Sequence, residues 1–454
     1  MEFQGKKVTV AGAGISGIAA AELLAGAGAA VTLYDGNAAL SEQEVRAKLG
    51  ADFNGSFVSG EFTKELLQNT EVLVISPGIP TDLPFVAELL GRGVPVIGEI
   101  ELAYLFAKGK LVAITGTNGK TTTTALTGAI MRTFYKNVLV VGNIGTPYTA
   151  LVHTTDEETV TVAEISSFQL ETVASFRPDV AMILNITPDH LNRHHTMENY
   201  IAAKEGIAAN QTEQDVCILN YEDERLRAFG AGLKSRVIYF SSARVLTEGL
   251  FLEDGVIYYA HAGNKERICG TEELNIIGRH NHENAMAAIA AGLVLGVPLP
   301  LIHQALCEFK AVEHRIEYVA TKRGVRYYND SKGTNPDAAI QGIRAMAGNT
   351  LLIAGGYDKG SDYDEWIEAF DGKVGYLVLI GQTKEKIAEA AGRHGLKNVV
   401  LCDSFSEAME FCTAHAKEGD AVLLSPACAS WGMFQNYEER GRIFKEYVNA
   451  LQEE

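Results

Sequence analysis

Two glycine-rich turns, each set between an apolar strand pattern and a helical one, constrain this chain more than any other feature. The first lies in "VTVAGAGISGIAAAELLAGAGAAVTLYD", residues 8–35, where an apolar run enters Gly12-x-Gly14-x-x-Gly17 and a second apolar run closes on Asp35. That spacing belongs to a dinucleotide-binding fold: the glycines allow a tight turn and close approach to a diphosphate, and the acid reaches a ribose hydroxyl. Taken alone, the stretch reads as part of an NAD(P)- or flavin-dependent oxidoreductase. The second turn, Gly116 to Thr124 in "LVAITGTNGKTTTT", has different chemistry. Gly116 and Gly119 let backbone N–H groups approach phosphate at a helix start, Lys120 bridges β- and γ-phosphates, and Thr121 offers its hydroxyl to Mg²⁺. The general phosphate-loop pattern has a glycine where Ile114 stands, so this is a shorter variant. Two such turns so far apart call for two nucleotide-handling domains.

A chain of 454 residues is too long for one ordinary core and predicts two to four domains. Strand-like runs alternate with helical patterns almost throughout, which predicts an α/β fold with parallel sheets. The first block holds "KVTVAG", "AAVTLYD", "EVLVISPGIP" and "VPVIG"; the second restarts at "EIELAYLFAKGK" and includes a hairpin, "GLFLEDGVIYYAHAG", with Asp254-Gly255 as its turn. The third runs through "VRYYNDSKGTNPDAA", "TLLIAGGYDKG", "VGYLVLIG", "NVVLCD" and "DAVLLSPACASWG". Boundaries near 97 and 311 therefore predict three domains: a Rossmann-like one over 1–97, a central P-loop ATPase-type parallel sheet over 98–311, and a second Rossmann-like α/β domain over 312–454.

Charge and composition narrow the partners. A formal net charge of −18 repels nucleic acid and anionic membranes. Six scattered cysteines with no CxxC pair predict neither zinc site nor disulfide framework, and suit reduced thiols in a cytoplasm. The N-terminal "KKVTVAGAG" has no signal-type pattern. Ala285 to Ile302 is uncharged and nominally long enough to span a bilayer, but Pro298 and Pro300 end a helix early, so a buried helix is expected.

Ligands of open parallel sheets sit beyond the carboxyl ends of the strands. "TVTVAE" ends there in Glu164, whose oxygens suit a hard cation, and "VAMILNITPDH" ends in Thr187, Asp189 and His190. Lys204, in "MENYIAAKEGIAAN", reads from composition as part of a solvated helix face. The third block's "NDSKGTNP", "GGYDKG" and "SPACASWGMFQNYEERG" together make a third ligand site.

In order along the whole chain, "GTNGKTTT", "EISSFQLE", "NITPDHLNRH", "GRHNHENAMAA", "EHR" and "NDSKGTNPDAA" resemble the ATP-dependent Mur ligases of peptidoglycan synthesis. "NDSKGTNPDA", "SPACAS…GRIF" and the N-terminal glycine fingerprint are similar to the branch that adds D-glutamate to UDP-N-acetylmuramoyl-L-alanine. This resemblance implies ATP as co-substrate, a pair of Mg²⁺ ions, and a monomeric cytoplasmic enzyme of cell-wall biogenesis. It implies Thr121 and Glu164 at the ATP metal, His190 at a second metal, and Lys204 as a carbamylated lysine turned into an anionic oxygen ligand. Lys120, Glu164, His190 and Lys204 form the implied catalytic set.

The resemblance also implies that Gly116, Thr117, Asn118, Gly119, Lys120, Thr121 and Thr122 hold the phosphates, with Asn281, Asn284, Arg315 and Asp330 on adenine and ribose. The UDP-sugar falls to Ile15, Ser16, Asp35, Ser76, Pro77, Gly78, Asn143, Ser166 and Gln169. D-glutamate falls to Lys332, Thr334, Lys359, Ser430 and Tyr437. Three departures stand out: Tyr437 replaces a frequent phenylalanine, the metal-site lysine loop is one residue shorter than in some members, and Gly36-Asn37 replace a Thr-Arg pair, which leaves open what those two positions contribute to uridine, where backbone contacts would substitute for that pair's side chains. The rivals are a nicotinamide oxidoreductase, a nucleotide sensor without turnover, and a sister ligase adding another amino acid. The first leaves the second loop and third block without a role; the second is at odds with Lys120, Thr121, Glu164 and His190 all being present.

Overall fold

The computed structural model describes residues 1–143 and 145–452. It divides into two compact units, one of Met1–Thr271 with Glu283–Leu306 and one of Glu272–His282 with Cys307–Glu454. The first unit contains two sheets and the second contains one.

Apolar, β-branched runs buried on both faces make the first sheet parallel throughout. Its strands are β1 (Lys7–Ala11), β2 (Ala30–Asp35), β3 (Ser56–Ser59), β4 (Val72–Ile75) and β5 (Val96–Gly98), in the order β3-β2-β1-β4-β5. Connections leave β1 to opposite sides, so the crevice between β1 and β4 is the switch point where such sheets bind ligands. The helix Ile15–Gly26 covers the sheet with Ala19, Ala20, Ala21 and Leu24, small side chains that let it lie close.

The second sheet is formed by β6 (Lys110–Thr115), β7 (Val138–Gly142), β8 (Val160–Glu164), β9 (Val180–Ile183), β10 (Val216–Asn220), β11 (Arg236–Ser241), β12 (Gly249–Glu253), β13 (Val256–His261) and β14 (Asn264–Gly270). Their order is β14-β13-β12-β11-β10-β9-β6-β8-β7, parallel except at the β12–β13 and β13–β14 pairs. Asp254 and Gly255 turn the β12–β13 hairpin with φ of 50° and 75°, the left-handed pair that such a turn requires. Because β6 lies between β8 and β9, three carboxyl ends meet: the Gly116 loop, Glu164, and the segment from Leu184 to His190.

In the second unit, β15 (Glu317–Lys322), β16 (Val325–Asn329), β17 (Thr350–Gly355), β18 (Val374–Ile380), β19 (Val399–Leu401) and β20 (Ala421–Leu424) form a sheet of order β15-β16-β20-β17-β18-β19. Only β15–β16 is antiparallel. The loops after β16, β20 and β17 thus begin side by side.

Strands β3, β11, β14 and β15 are absent from the sequence reading; β11 lies inside its sheet, between β10 and β12. The other three are the edge strands of their sheets: β3 and β15 have no buried residue, and β14 begins with the exposed polar run "NKER", which blunts edge pairing and erases the apolar signal. The uncharged Ala285–Ile302 stretch is divided between the helices Arg279–Val294 and Leu299–Glu308, and Ala285 to Ala291 are fully buried. Among the described residues no helix is long and apolar enough to cross a membrane.

Candidate active site

The turn after β1 shows what each fingerprint glycine does. Gly12 has φ of +99°, and a Cβ there would come within 2.7 Å of the Ser76 hydroxyl oxygen. A Cβ on Gly17 would overlap the Gly12 carbonyl, so that glycine sets the approach of helix to strand, whereas Gly14 faces open space. No side chain caps the helix that Gly14 precedes, and its first N–H groups are available to an anion. Ile15 is three-quarters exposed (75%) and Ser16 half-buried beside it. Ser76 donates its backbone N–H to Ala11 O at 3.0 Å, and Pro77 and Gly78 follow at the rim. Asp35 is already engaged: its carboxylate accepts from the Ala13 N–H at 2.8 Å and the Asn37 N–H at 2.9 Å. It lashes the turn to the end of β2.

The second turn is braced from β9. Thr117 N–H donates to Asn185 O at 2.9 Å, and the Asn185 side chain accepts from Asn118 N–H at 2.8 Å while donating back to Asn118 O at 3.1 Å. The buried Thr117 hydroxyl donates to Thr187 O, accepts from Thr187 N–H, and lies 3.0 Å from the Tyr200 hydroxyl. Gly119 caps the helix Lys120–Arg132 with φ of +88°, where any Cβ would strike Asn284; Asn284 in turn accepts from Thr123 Oγ1 at 3.2 Å. Thr121 and Thr122 are buried in the first helical turn. Lys120 turns its ammonium onto the carbonyls of Gly116 and Thr117, both at 2.9 Å.

Lys204 corrects the reading of a solvated helix face. It is 1% exposed, donates to Gly116 O at 2.8 Å, and lies 4.7 Å from the Tyr200 ring centre. Burial first, and then the Lys120 charge, pull its ammonium well below the ordinary lysine value, with Asp189 opposing. The helix Met197–Glu205 packs this face inward, a burial that its composition does not betray.

Glu164 ends β8 buried. Its Oε1 accepts from Asn143 Nδ2 at 2.8 Å, and its Oε2 is buried with no hydrogen-bond partner. An orphaned carboxylate oxygen is costly unless a cation meets it, so this donor fits a hard metal ion. Ser166 caps the helix Ser167–Leu170, and Gln169 returns the bond: its Oε1 accepts from the Ser166 N–H at 2.9 Å and hydroxyl at 3.0 Å. His190 is exposed, with a left-handed φ of 53°, its ring 4.9 Å from that of Phe168 and its Nε2 3.6 Å from Asp189.

Three further residues build this site without having been singled out from sequence. Asn185 opens the "NITPDH" stretch as a polar residue directly after a buried strand. Tyr200 lies four residues before Lys204, the spacing of one helix face. Arg193 donates to Ile79 O at 2.9 Å and pairs with Glu171 at 2.8 Å, tying the turn after β4 to the second sheet.

In the second unit, Asp330 lies beyond β16 among Gly333, Gly342 and Ser425, whose hydroxyl donates to it at 2.7 Å. Burial raises its carboxyl to about 7, against the pull of Ser425 and Arg315. Arg315 Nε is buried with no hydrogen-bond partner, and the Asn281 amide donates to Ile277 O at 2.8 Å. Lys332 lies 5.3 Å from the Tyr437 ring centre, with Thr334 two residues on and its N–H on Lys332 O at 2.9 Å. The fully buried Arg440 joins these loops, donating to Ser331 Oγ at 3.0 Å, to Ser331 O at 2.8 Å and to Cys428 O at 3.4 Å. Buried Ser430 and exposed Lys359 are brought near by the loop pairing of Tyr357 with Ala429. Asn281, Arg315 and Asp330 thus belong to the second unit, and Asn284 and the phosphate loop to the first.

Comparison with known proteins matches all three sheets. The family described as "Mur ligase MurD-like, N-terminal domain" matches residues 6–98, "Mur ligase middle domain" matches 114–292, and "Mur ligase, glutamate ligase domain" matches 314–428. A protein of Lachnoclostridium phytofermentans named UDP-N-acetylmuramoylalanine–D-glutamate ligase is 60% identical over 454 residues, covering 100% of both chains. One of the same name from Lachnospira eligens is 53% identical over 99% of this chain and 100% of its own. Among solved structures, UDP-N-acetylmuramate-alanine ligase from Thermotoga maritima superposes with a TM-score of 0.60 at 19% identity, covering 98% of this chain and 99% of its own, a likeness of fold.

Proposed function

The chain belongs to the Mur ligase family, and we propose that it joins D-glutamate to UDP-N-acetylmuramoyl-L-alanine with hydrolysis of ATP, a step of peptidoglycan precursor synthesis. One observation carries the reading beyond likeness: a phosphate loop bearing Lys120 lies on the strand next to the one that ends in Glu164, whose second oxygen is buried and unpartnered.

A carboxylate and an amine do not condense in neutral water, so the carboxylate first needs a leaving group. The L-alanyl carboxylate attacks the γ-phosphorus of ATP, giving an acyl phosphate and ADP; the amine of D-glutamate then attacks the acyl carbon and phosphate departs. The first step brings two anions together, and Lys120 with the first N–H groups of the helix it opens screens them. Thr121, Glu164, His190 and a carbamylated Lys204 are the residues that would hold Mg²⁺, which supplies charge neutralisation to the phosphoryl oxygens when bound. Positioning does most of the rest: the turn at Gly12–Gly17 with Ser76–Gly78 takes the diphosphate, Asn143, Ser166 and Gln169 the muramoyl end, and Lys332, Thr334, Lys359, Ser430 and Tyr437 the amino acid. Asn281, Asn284, Arg315 and Asp330 take adenine and ribose. The enzyme acts as a cytoplasmic monomer in this reading.

Lys120→Ala tests it. Phosphate release from ATP in the presence of both other substrates should fall at least about a thousandfold, the scale of losing a main charge-stabilising group; undiminished release would refute the assignment of the phosphate loop.

A further inference from the structure

The short helix Leu191–His194 follows β9, and Arg193 on it reaches in two directions. Its Nη2 donates to the Ile79 carbonyl at 2.9 Å and to Glu171 Oε2 at 2.8 Å, and the Arg193 and Glu171 side chains are each only 14% exposed. The first acceptor belongs to the turn after β4 in the first sheet. The second directly follows the helix Ser167–Leu170, which comes after β8 in the second sheet. One nitrogen therefore bonds to both. A guanidinium that gives up water needs such partners, and Glu171 supplies the compensating charge.

Each acceptor leads on to residues that face a ligand. Ile79 closes the turn that starts at Ser76, its N–H donating to Ser76 O at 2.9 Å, and its Cδ1 lies 3.4 Å from where a Cβ on Gly12 would stand. The Ile79 carbonyl is thereby fixed to both turns assigned to the diphosphate. On the other side, the guanidinium carbon lies 4.8 Å from the centre of the Phe168 ring. His194 completes the clamp, with Nδ1 3.3 Å from Glu171 Oε1 and Nε2 2.9 Å from the Ser167 hydroxyl. Phe168 and Ser167 belong to the helix that Ser166 and Gln169 cap. Stacking on a ring while donating to a carboxylate suits the flat guanidinium of arginine. A second tie between the same segments, His195 to Asp82 at 3.5 Å, is exposed on both sides and screened by water, so Arg193 is the main one.

We propose that Arg193 is a positioning residue for the UDP-sugar, holding the diphosphate turn at Ser76–Gly78 in register with Ser166 and Gln169; this rests on the reading that those residues take the two ends of that substrate. A ligand that reaches across two sheets gains from its second contact only where the spacing fits, because the first contact fixes where its other end can go. In this reading UDP by itself touches the first sheet alone and has no second contact to lose. Arg193 therefore acts on the difference between the affinities for the UDP-sugar and for UDP, and not on the grip of either sheet alone.

Titration calorimetry on the full chain, with UDP and with UDP-N-acetylmuramoyl-L-alanine as the two ligands, tests this. Arg193→Ala should raise Kd for the UDP-sugar about tenfold and leave Kd for UDP within about twofold. Glu171→Ala should show the same pattern, and the double variant should be no worse than Arg193→Ala, since the pair acts as one unit. Arg177→Ala breaks another partly buried pair, with Asp215 at the amino end of the second sheet, and should lower the melting temperature without moving the ratio of the two Kd values. Should Arg193→Ala fail to fold, Glu171→Gln, which keeps the shape and removes the charge facing Arg193, takes its place and should give the same selective loss. Equal weakening of UDP and UDP-sugar, no change in either, a ratio moved as far by Arg177→Ala, or effects of Arg193→Ala and Glu171→Ala that multiply would overturn the proposal and leave the reaction standing. An unmutated chain that binds the UDP-sugar no more tightly than UDP would overturn the placement of the sugar at Ser166 and Gln169, and this inference with it.

Discussion

Lys120 and Lys204 share one acceptor: both side-chain nitrogens lie on the Gly116 carbonyl oxygen, at 2.9 and 2.8 Å. Burial first, and then the repulsion between two cations so close, press Lys204 to lose its proton. An uncharged amine is the form that adds CO₂. Turnover should therefore fall several-fold in CO₂-depleted buffer and return with bicarbonate, and ¹³C-labelled CO₂ should give a carbamate resonance that Lys204→Ala lacks. Activity indifferent to CO₂, with no such resonance, contradicts this role for Lys204.

Glu164→Gln keeps the bond from Asn143 and removes the negative charge at the open oxygen. The Mg²⁺ concentration for half-maximal rate should rise about tenfold or more, the usual loss when a ligand shell is damaged. A Mg²⁺ titration that superposes on that of the unmutated enzyme would remove Glu164 from the metal.

Asp330 predicts a pH dependence of stability. Burial raises its carboxyl to about 7 in the folded chain, against about 3.9 unfolded. The folded state therefore holds the proton more tightly, and the contribution is complete below the unfolded value and lost as pH rises through about 7. Asp330→Asn mimics the neutral acid. Its melting temperature should gain on that of the unmutated chain between about pH 4 and pH 8, and a constant difference across that range would count against a buried neutral carboxyl.

The fingerprint glycines separate stability from binding. Gly17→Ala puts a Cβ onto the Gly12 carbonyl and should destabilise by about 3 kcal/mol, the upper end for overpacking. Gly14→Ala points into open space and should leave the melting temperature almost unchanged while weakening uridine diphosphate binding about tenfold. Calorimetry distinguishes the two; equal effects on both quantities would mean that the turn holds no diphosphate.

Much of this was legible in sequence where the cause is local. The two glycine turns, the Asp254-Gly255 hairpin and the acid ending β8 follow from residues adjacent in the chain. What was hidden depends on partners far apart. Lys204 is buried because its helix packs onto a loop 88 residues away, which no helical periodicity reveals. Asp35 was visible as the acid of a nucleotide fold, but its bonds to Ala13 and Asn37, which make it a brace for the turn, appear only once β1 and β2 are paired.

Phosphate release identifies the reaction. Purified enzyme with ATP, Mg²⁺ and UDP-N-acetylmuramoyl-L-alanine should release phosphate with D-glutamate and with no other member of a panel of D- and L-amino acids. Equal or greater release with a different amino acid, or none with D-glutamate, would contradict it.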